Sequence, residues 1–390
     1  MELIGDFLLT AFAFVFVISV VVVFHELGHY WAGRWCGVHA EAFSMGFGPT
    51  LFSRRDKNGT VWRVAAFPLG GYVRFLGDAG AASEPDQEKL AVLRKQMGED
   101  ANKCFHFKPV WQRAIITGAG PVANFILSIT IFAVLAFAFG ATRYEPIVGE
   151  VIADSAAEEA GVLAGDRVLS INDSQIEAFE EIMAEVVWRP GEELQVGIER
   201  GGERLVLPIT PRRTLIEDQF GGERPMGVLG IRPSGERFQD HYNPVTAIGY
   251  GVSQTGEIIS MTVRYVSRIV TGRTSPELLN GPLGIVEMAG QRAQTGAEVG
   301  ENAAESAYYV LVQLIHFCAV LSVGLGLVNL LPLPILDGGH LMYYAYEAVV
   351  GRPLSAGVQA IGFRVGLALV LGMMLVASLN DLNYKLSQFF

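Results

Sequence analysis

Positions 25 to 29 read His-Glu-Leu-Gly-His. On an α-helix, residues four apart share a face about 6 Å apart, so His25 and His29 can turn two imidazoles toward one ion. Two such nitrogens suit Zn²⁺, and Glu26 between them lies beside the place a metal-activated water would take. A pattern this short arises by chance in many helices. Its setting argues against chance: Phe7 to Phe24 precedes it without a charged residue. Ionisable side chains at the end of such a run are costly in a bilayer and need a partner or an ion. Zinc meets that need.

Catalytic zinc takes three protein ligands and keeps a fourth position for water. A candidate third ligand lies far downstream, in Asn329-Leu330-Leu331-Pro332-Leu333-Pro334-Ile335-Leu336-Asp337-Gly338-Gly339-His340. Asp337 closes an apolar run, where an unpaired carboxylate is poorly solvated. Its other reading is a helix cap or turn residue, which the glycines allow. On chemistry alone His340 is a rival ligand.

The elements that must position these groups follow from where charge is missing. The chain has 390 residues, 51% hydrophobic and only 18% charged, with a mean hydropathy of +0.34. Soluble chains usually carry about 25% charged residues, so an ordinary soluble protein is excluded. A net charge of −11 without a basic–aromatic block leaves no support for nucleic-acid binding. Cys36, Cys104 and Cys318 are too scattered for a disulfide framework or thiolate cluster.

Four apolar segments are long enough, or nearly so, to cross a bilayer, which takes roughly 17–25 residues. The spacing predicts a first span over 1–35 with the His-Glu motif, a second over 111–141, a third over 304–345 and a fourth over 358–381. An acidic Met-Glu start and no small-residue cleavage site make the first a retained helix and not a signal peptide. Every lysine except Lys385 falls between Tyr30 and Arg113, whereas Arg143 to Glu305 has none. The positive-inside rule therefore places 36–110 in the cytoplasm, 142–303 outside and both termini outward.

Region 36–110 is expected to form a β-hairpin: Asp56-Lys57-Asn58-Gly59 separates two alternating runs, and Asn-Gly is a strong hairpin signal. Gly70-Gly71-Tyr72-Val73 continues as a strand, and 78–108 reads as a polar excursion. Region 142–240 is expected to hold a small domain over 145 to about 213 and a following strand; the domain resembles a PDZ domain of the bacterial protease type, on the run Gly161-Val162-Leu163-Ala164-Gly165-Asp166-Arg167-Val168 through Asn172. A small α/β spacer is the alternative. Region 241–303 is expected to lie on the outer membrane surface or against the core, with Glu257 and Arg264 weakening a fifth span.

Together the motifs are specific. His-Glu-x-x-His on the first span, Gly120-Pro121-x-x-Asn124 on the second, and Asn329-x-x-Pro332-x-Pro334-x-Leu336-Asp337-Gly338-Gly339 on the third resemble the site-2 intramembrane zinc proteases. Gly70–Val73 and Gly281-Pro282-Leu283-Gly284-Ile285 are similar to the bacterial branch, the regulator of sigma-E protease type. One departure stands out: the chain has room for a single PDZ domain where the best-known members carry two in tandem.

The resemblance implies a multi-span α-helical membrane protein of about four transmembrane helices, with an inserted extracytoplasmic PDZ domain and a cytoplasmic, membrane-associated β-hairpin region. It implies zinc held by His25, His29 and Asp337, with Glu26 as general base and then proton donor. Gly71, Tyr72 and Val73 would offer a strand edge to an unwound substrate, and Asn329 would help hold it. Asn329 and Asn124 have a second reading as interhelical hydrogen-bonding glue, His340 would support the metal ligands, and His316 reads as a polar packing residue. The implied partners are the lipid bilayer of the cell inner membrane, single-pass membrane proteins of the anti-sigma-factor kind, remnant signal peptides, and a peptide C-terminus at the PDZ domain. The alternative is a membrane-anchored PDZ adaptor without proteolytic activity; a metal transporter fits less well.

Overall fold

A computed structural model describes residues 2–78, 98–187, 189–217, 223–271 and 281–387. Most of the expected polar excursion, 79–97, lies outside the described residues. The chain divides into two compact units, one of them Leu135–Ala247 and the other built from the long helices and the first hairpin.

The helical unit opens with α1, Glu2–Trp35. Ala13, Val17 and Val21 recur every four residues along it and are buried against Ala289, Ala293, Leu314, Phe317 and Cys318. The next helices of this unit are α2 (Val110–Phe139) and α5 (Pro244–Val270), with α3 (Ala156–Glu159) and α4 (Phe179–Val186) between them in the other unit. Then come α6 (Pro282–Val299), α7 (Ala303–Asn329), α8 (Asp337–Val350) and α9 (Ala356–Ser387). Four stretches are long and apolar enough to cross a membrane: Ile4–Trp35, Val110–Phe139, Ala303–Asn329 and Gly357–Leu375.

The third apolar segment is not one helix through 345. Pro332 and Pro334 lack the N–H that continues a helix, so α7 stops at Asn329 and α8 starts afresh at Asp337. The chain between folds back on itself. A Cβ on Gly338 would stand 2.3 Å from the carbonyl oxygens of Leu330 and Leu331, and one on Gly339 2.3 Å from that of Leu333. Only glycine permits that approach.

Region 241–303 likewise contains two helices. Along α5, Gly251 brings its backbone against Ile129 and Ala133 of α2, and Thr255 meets Ser128 at 3.1 Å, hydroxyl to hydroxyl, in a buried contact. The small and polar side of α5 thus packs on α2. In turn α6 packs on α1 and α7.

Strands β1 (Ala40–Arg55) and β2 (Val61–Phe75) are antiparallel. Their register is folded: Phe43 faces both Val73 and Trp62, and Trp62 faces both Phe43 and Arg54. Four short runs result, in the order 71–75, 40–45, 61–65, 50–55; the outer pairings run antiparallel, 42–45 and 61–64 lie in parallel register, and 71–75 is at one edge. Asp56 ties the turn, accepting from Asn58 N, Thr60 N, Trp62 Nε1 and the Tyr30 hydroxyl on α1. The last bond anchors the hairpin to the helix that carries the motif.

The second unit has a four-stranded sheet in the order β6 (Ser174–Gln175), β5 (Arg167–Ile171), β7 (Leu194–Arg200), β8 (Glu203–Ile209). Beside it, β4 (Val148–Val151) pairs with β11 (Ile231–Pro233), β3 (Ala141–Tyr144) with β12 (Arg237–Asp240), and β9 (Arg212–Glu217) with β10 (Glu223–Val228). Helix α4 spans Phe179–Val186, and α3 is a single turn, Ala156–Glu159. Val148, Ile171, Ile182, Leu194, Ile198 and Ile209 form its core. Asp166 is buried and accepts from Arg200 Nε and Nη2, both at 2.7 Å, and from Leu163 N at 2.8 Å. Burial opposes ionisation of Asp166; these hydrogen bonds and the guanidinium charge outweigh it and hold its pKa below the ordinary carboxylate value.

Candidate metal centre

His25 and His29, one turn apart on α1, bring their Nε2 atoms to 3.2 Å. Asp337 Oδ2, the first side chain of α8, lies 3.3 Å from His25 Nε2 and 3.5 Å from His29 Nε2. These three residues are the group among the described residues whose donor atoms cluster tightly enough to hold a metal ion. Asp337 Oδ2 is buried yet has no partner in hydrogen-bond geometry. It is an acceptor aimed at a point it shares with two imidazole nitrogens.

That arrangement can be tested against zinc. A tetrahedral ion with bonds of about 2.0–2.1 Å separates its ligand atoms by about 3.4 Å. The observed edges of 3.2, 3.3 and 3.5 Å are one face of such a tetrahedron. Two imidazoles and a carboxylate are also a catalytic donor set, with the fourth vertex left to water or substrate. The residues fit the ion.

α2 forms the back wall. His29 Nδ1 lies 2.9 Å from the carbonyl oxygen of Ile116. A carbonyl can only accept, so this nitrogen carries the proton and Nε2 keeps its lone pair for a metal. One turn on, a Cβ at Gly120 would meet His29 Nε2 at 2.3 Å and His25 Cε1 at 2.8 Å. One turn further, Asn124 Nδ2 stands 3.3 Å from His25 Nδ1. Gly28 makes the close crossing possible from the other side, since its Cβ would lie 2.3 Å from Ala119 O.

Glu26 faces the hairpin. Its Oε2 accepts from the backbone N–H of Val73 at 3.0 Å, and a Cβ on Gly71 would stand 3.3 Å from its Cγ. Gly71 and Val73 therefore lie beside the glutamate. Tyr72 alternates to the opposite side of the strand, where its ring stacks on Phe47 at 6.1 Å, and it does not line the central cavity. Asn329, the last residue of α7, sets Nδ2 3.5 Å from His25 Nε2. His340 lines the cavity but stands outside the donor triangle. His316 packs edge-on against Phe132, away from the site.

A cavity of about 240 Å³ holds the centre, lined by His25, Glu26, His29, Asn329 and Asp337 and closed by Phe75, Phe105, Tyr344 and Phe363. Sequence reasoning missed these aromatic walls, and also the Ile116 carbonyl, which has no side-chain signature. It left Asn124 between a residue of the Gly120-Pro121-x-x-Asn124 motif and interhelical glue, without placing it against His25; the spacing of that motif, which repeats the four-residue step of the two histidines, was the signal available.

An imidazole pair, a carboxylate donor and an adjacent glutamate, carried on long apolar helices, define a centre of the zinc-peptidase kind. The model of Peptidase family M50 matches residues 13–373. Metalloprotease MmpA of Caulobacter vibrioides is 45% identical over 383 residues, 97% of this chain and 96% of that protein. Two provisionally named zinc metalloproteases are also similar. The one from Agrobacterium fabrum is 43% identical over 95% of this chain and 94% of its own length; the one from Rhizobium meliloti is 42% identical over 95% and 96%. Among solved structures, the PDZ domain of an SdrC-like protein from Listeria monocytogenes matches 22% of this chain and 84% of its own, at 18% identity and a TM-score of 0.18. The chain belongs to Peptidase family M50, the site-2 protease family. It is a zinc metalloprotease of the membrane.

Proposed function

We propose that this enzyme is an intramembrane endopeptidase that cuts the transmembrane segments of single-pass proteins in regulated intramembrane proteolysis. The observation that carries the reading is the donor triangle of His25, His29 and Asp337 with Glu26 beside it, set within the apolar helices. Trp31 and Trp35 near the end of α1 and Trp111 at the start of α2 are all exposed, as residues of an interfacial aromatic belt are. Glu26 lies five to nine residues before the first two, about 7–14 Å inside that belt along the helix. The lysine-rich loop makes this the cytoplasmic side of the inner membrane, with the second unit outside.

His25, His29 and Asp337 hold the zinc, which when bound acts as a Lewis acid on water and brings its pKa toward about 7. Glu26 is the general base: it takes a proton on its carboxylate and returns it to the leaving amine. The Val73 N–H holds Oε2, so Oε1 is the oxygen that moves the proton. A substrate helix hides its peptide bonds in its own hydrogen bonding and must unwind before attack. The 71–75 edge offers backbone groups to the unwound segment by strand addition, with Gly71 admitting the close approach and Val73 aligning it; Tyr72 braces the strand from behind. Asn329 supplies an amide to the same segment.

The substrates are anti-sigma-factor-type proteins already trimmed outside the membrane, and remnant signal peptides. The second unit is the PDZ domain, screening them by size or by a newly exposed C-terminus. Glu26→Gln is the test, because an amide can keep the Val73 bond but cannot accept the proton. Full zinc content, normal folding and no cleavage of a single-span reporter are expected. Cleavage at the parent rate by this variant defeats the mechanism.

A further inference from the structure

The stripe Ile116, Gly120, Asn124 on α2 runs antiparallel to His29 and His25 on α1, and its two ends meet the two rings at their second nitrogens. At one end the assignment is complete, because the Ile116 carbonyl fixes the His29 proton on Nδ1. At the other end stands a side chain. Asn124 is fully buried, and among the described residues it supplies the polar atom that faces His25 Nδ1. Its Oδ1 is buried with no hydrogen-bond partner.

We propose that Asn124 is a positioning residue that sets the tautomer of His25 for metal binding. The inference rests on the zinc reading above. His25 Nε2 points at the donor triangle, with His29 Nε2 and Asp337 Oδ2 as neighbours. To give Nε2's lone pair to a metal, a neutral imidazole must carry its proton on Nδ1. Nδ1–H then faces the amide at 3.3 Å, and an amide NH₂ in that place sets donor against donor. A half-turn of the amide brings the unpartnered Oδ1 there and makes the bond. With the NH₂ toward Nδ1 the opposite tautomer is favoured, with the proton on Nε2. An asparagine can serve both forms; an aliphatic side chain serves neither. In the metal-bound form Asn124 does for His25 what the Ile116 carbonyl does for His29, and orienting partners of this kind raise ligand basicity as well as aim the ring.

The backbone carbonyl of Asn124 accepts from Ser322 Oγ at 2.9 Å. This α2–α7 link does not depend on the side chain, so the position can be changed without removing it. The experiment uses the full-length protein in detergent, stripped of metal. Zinc affinity is measured by chelator competition for the parent, Asn124→Leu and Asn124→Asp, with visible absorption of the Co²⁺-loaded forms to report ligand geometry. Asn124→Leu should bind zinc about 10–100-fold more weakly and alter the Co²⁺ spectrum, with an unchanged melting temperature before loading. Asn124→Asp, which presents an acceptor in either orientation, should stay within about threefold of the parent and keep its spectrum; conservative rescue of this kind would not follow from a packing role. Should the leucine variant not fold, Asn124→Ala takes its place in the contrast. Leucine or alanine at parent affinity, or aspartate as weak as either, overturns the proposal. A parent protein that takes up no zinc instead defeats the metal reading on which it rests.

Discussion

Gly120→Ala sets two physical effects against each other at one atom. In an exposed helix interior, glycine to alanine gains about 1 kcal/mol of helix propensity, so local reasoning expects a more stable α2. The tertiary contact reverses that sign. The new Cβ would lie 2.3 Å from His29 Nε2, 2.5 Å from His29 Cε1 and 2.8 Å from His25 Cε1. Nonbonded heavy atoms rest at about 3.5–4.0 Å, so the rings must retreat by roughly 1 Å. Metal–ligand distances tolerate only about ±0.2 Å. Overpacking alone costs about 1–3 kcal/mol, which cancels or exceeds the propensity gain. The closest clash falls on the nitrogen that faces the other donors, so zinc binding should fall further than the ~10–100-fold typical of a lost orienting partner. The assay pairs zinc affinity by chelator competition with thermal unfolding of the metal-free, full-length protein and cleavage of a single-span reporter. Zinc uptake and cleavage should be lost, and metal-free stability should be equal to the parent's or lower. Parent-level zinc affinity together with a raised melting temperature would refute the packing of α2 behind both histidines.

Asp337→Ala should abolish tight zinc binding while leaving metal-free stability unchanged or slightly raised, since Oδ2 has no native hydrogen bond to lose; zinc content and a metal-free melting curve decide it, and zinc retained at parent affinity removes Asp337 from the donor set. In the second unit, Asp166 has a folded-state pKa below its unfolded value of about 3.9. Its ion pair therefore stabilises above that value, and the contribution is lost as pH falls through the lower, folded pKa. Arg200→Met should make this unit less stable at neutral pH, as read by limited proteolysis of the full-length chain. The gap to the parent should narrow below about pH 4; a gap that is the same at pH 3 and pH 7 would show that the pair is not its cause.

Much of this protein was legible without its structure because the relevant physics is local. His25 and His29 share a helix face through a four-residue step that any α-helix imposes. Absence of charge marks the membrane spans, and Asp56 to Gly59 carry the chemistry of their own turn. The third ligand was a matter of choice until the chain folded: Asp337 and His340 are both sound donors near the end of one apolar segment. The fold-back of 330–336, closed by two glycines against backbone carbonyls, puts Asp337 in the triangle and leaves His340 on the cavity wall. Residue types and short spacings determined the reaction class. Which atoms meet was decided by the antiparallel crossing of α1 and α2 and by the hairpin edge. The Ile116 carbonyl, the Val73 N–H and the missing Cβ of Gly120 are backbone features. They acquire chemical meaning only where one segment of chain is packed against another.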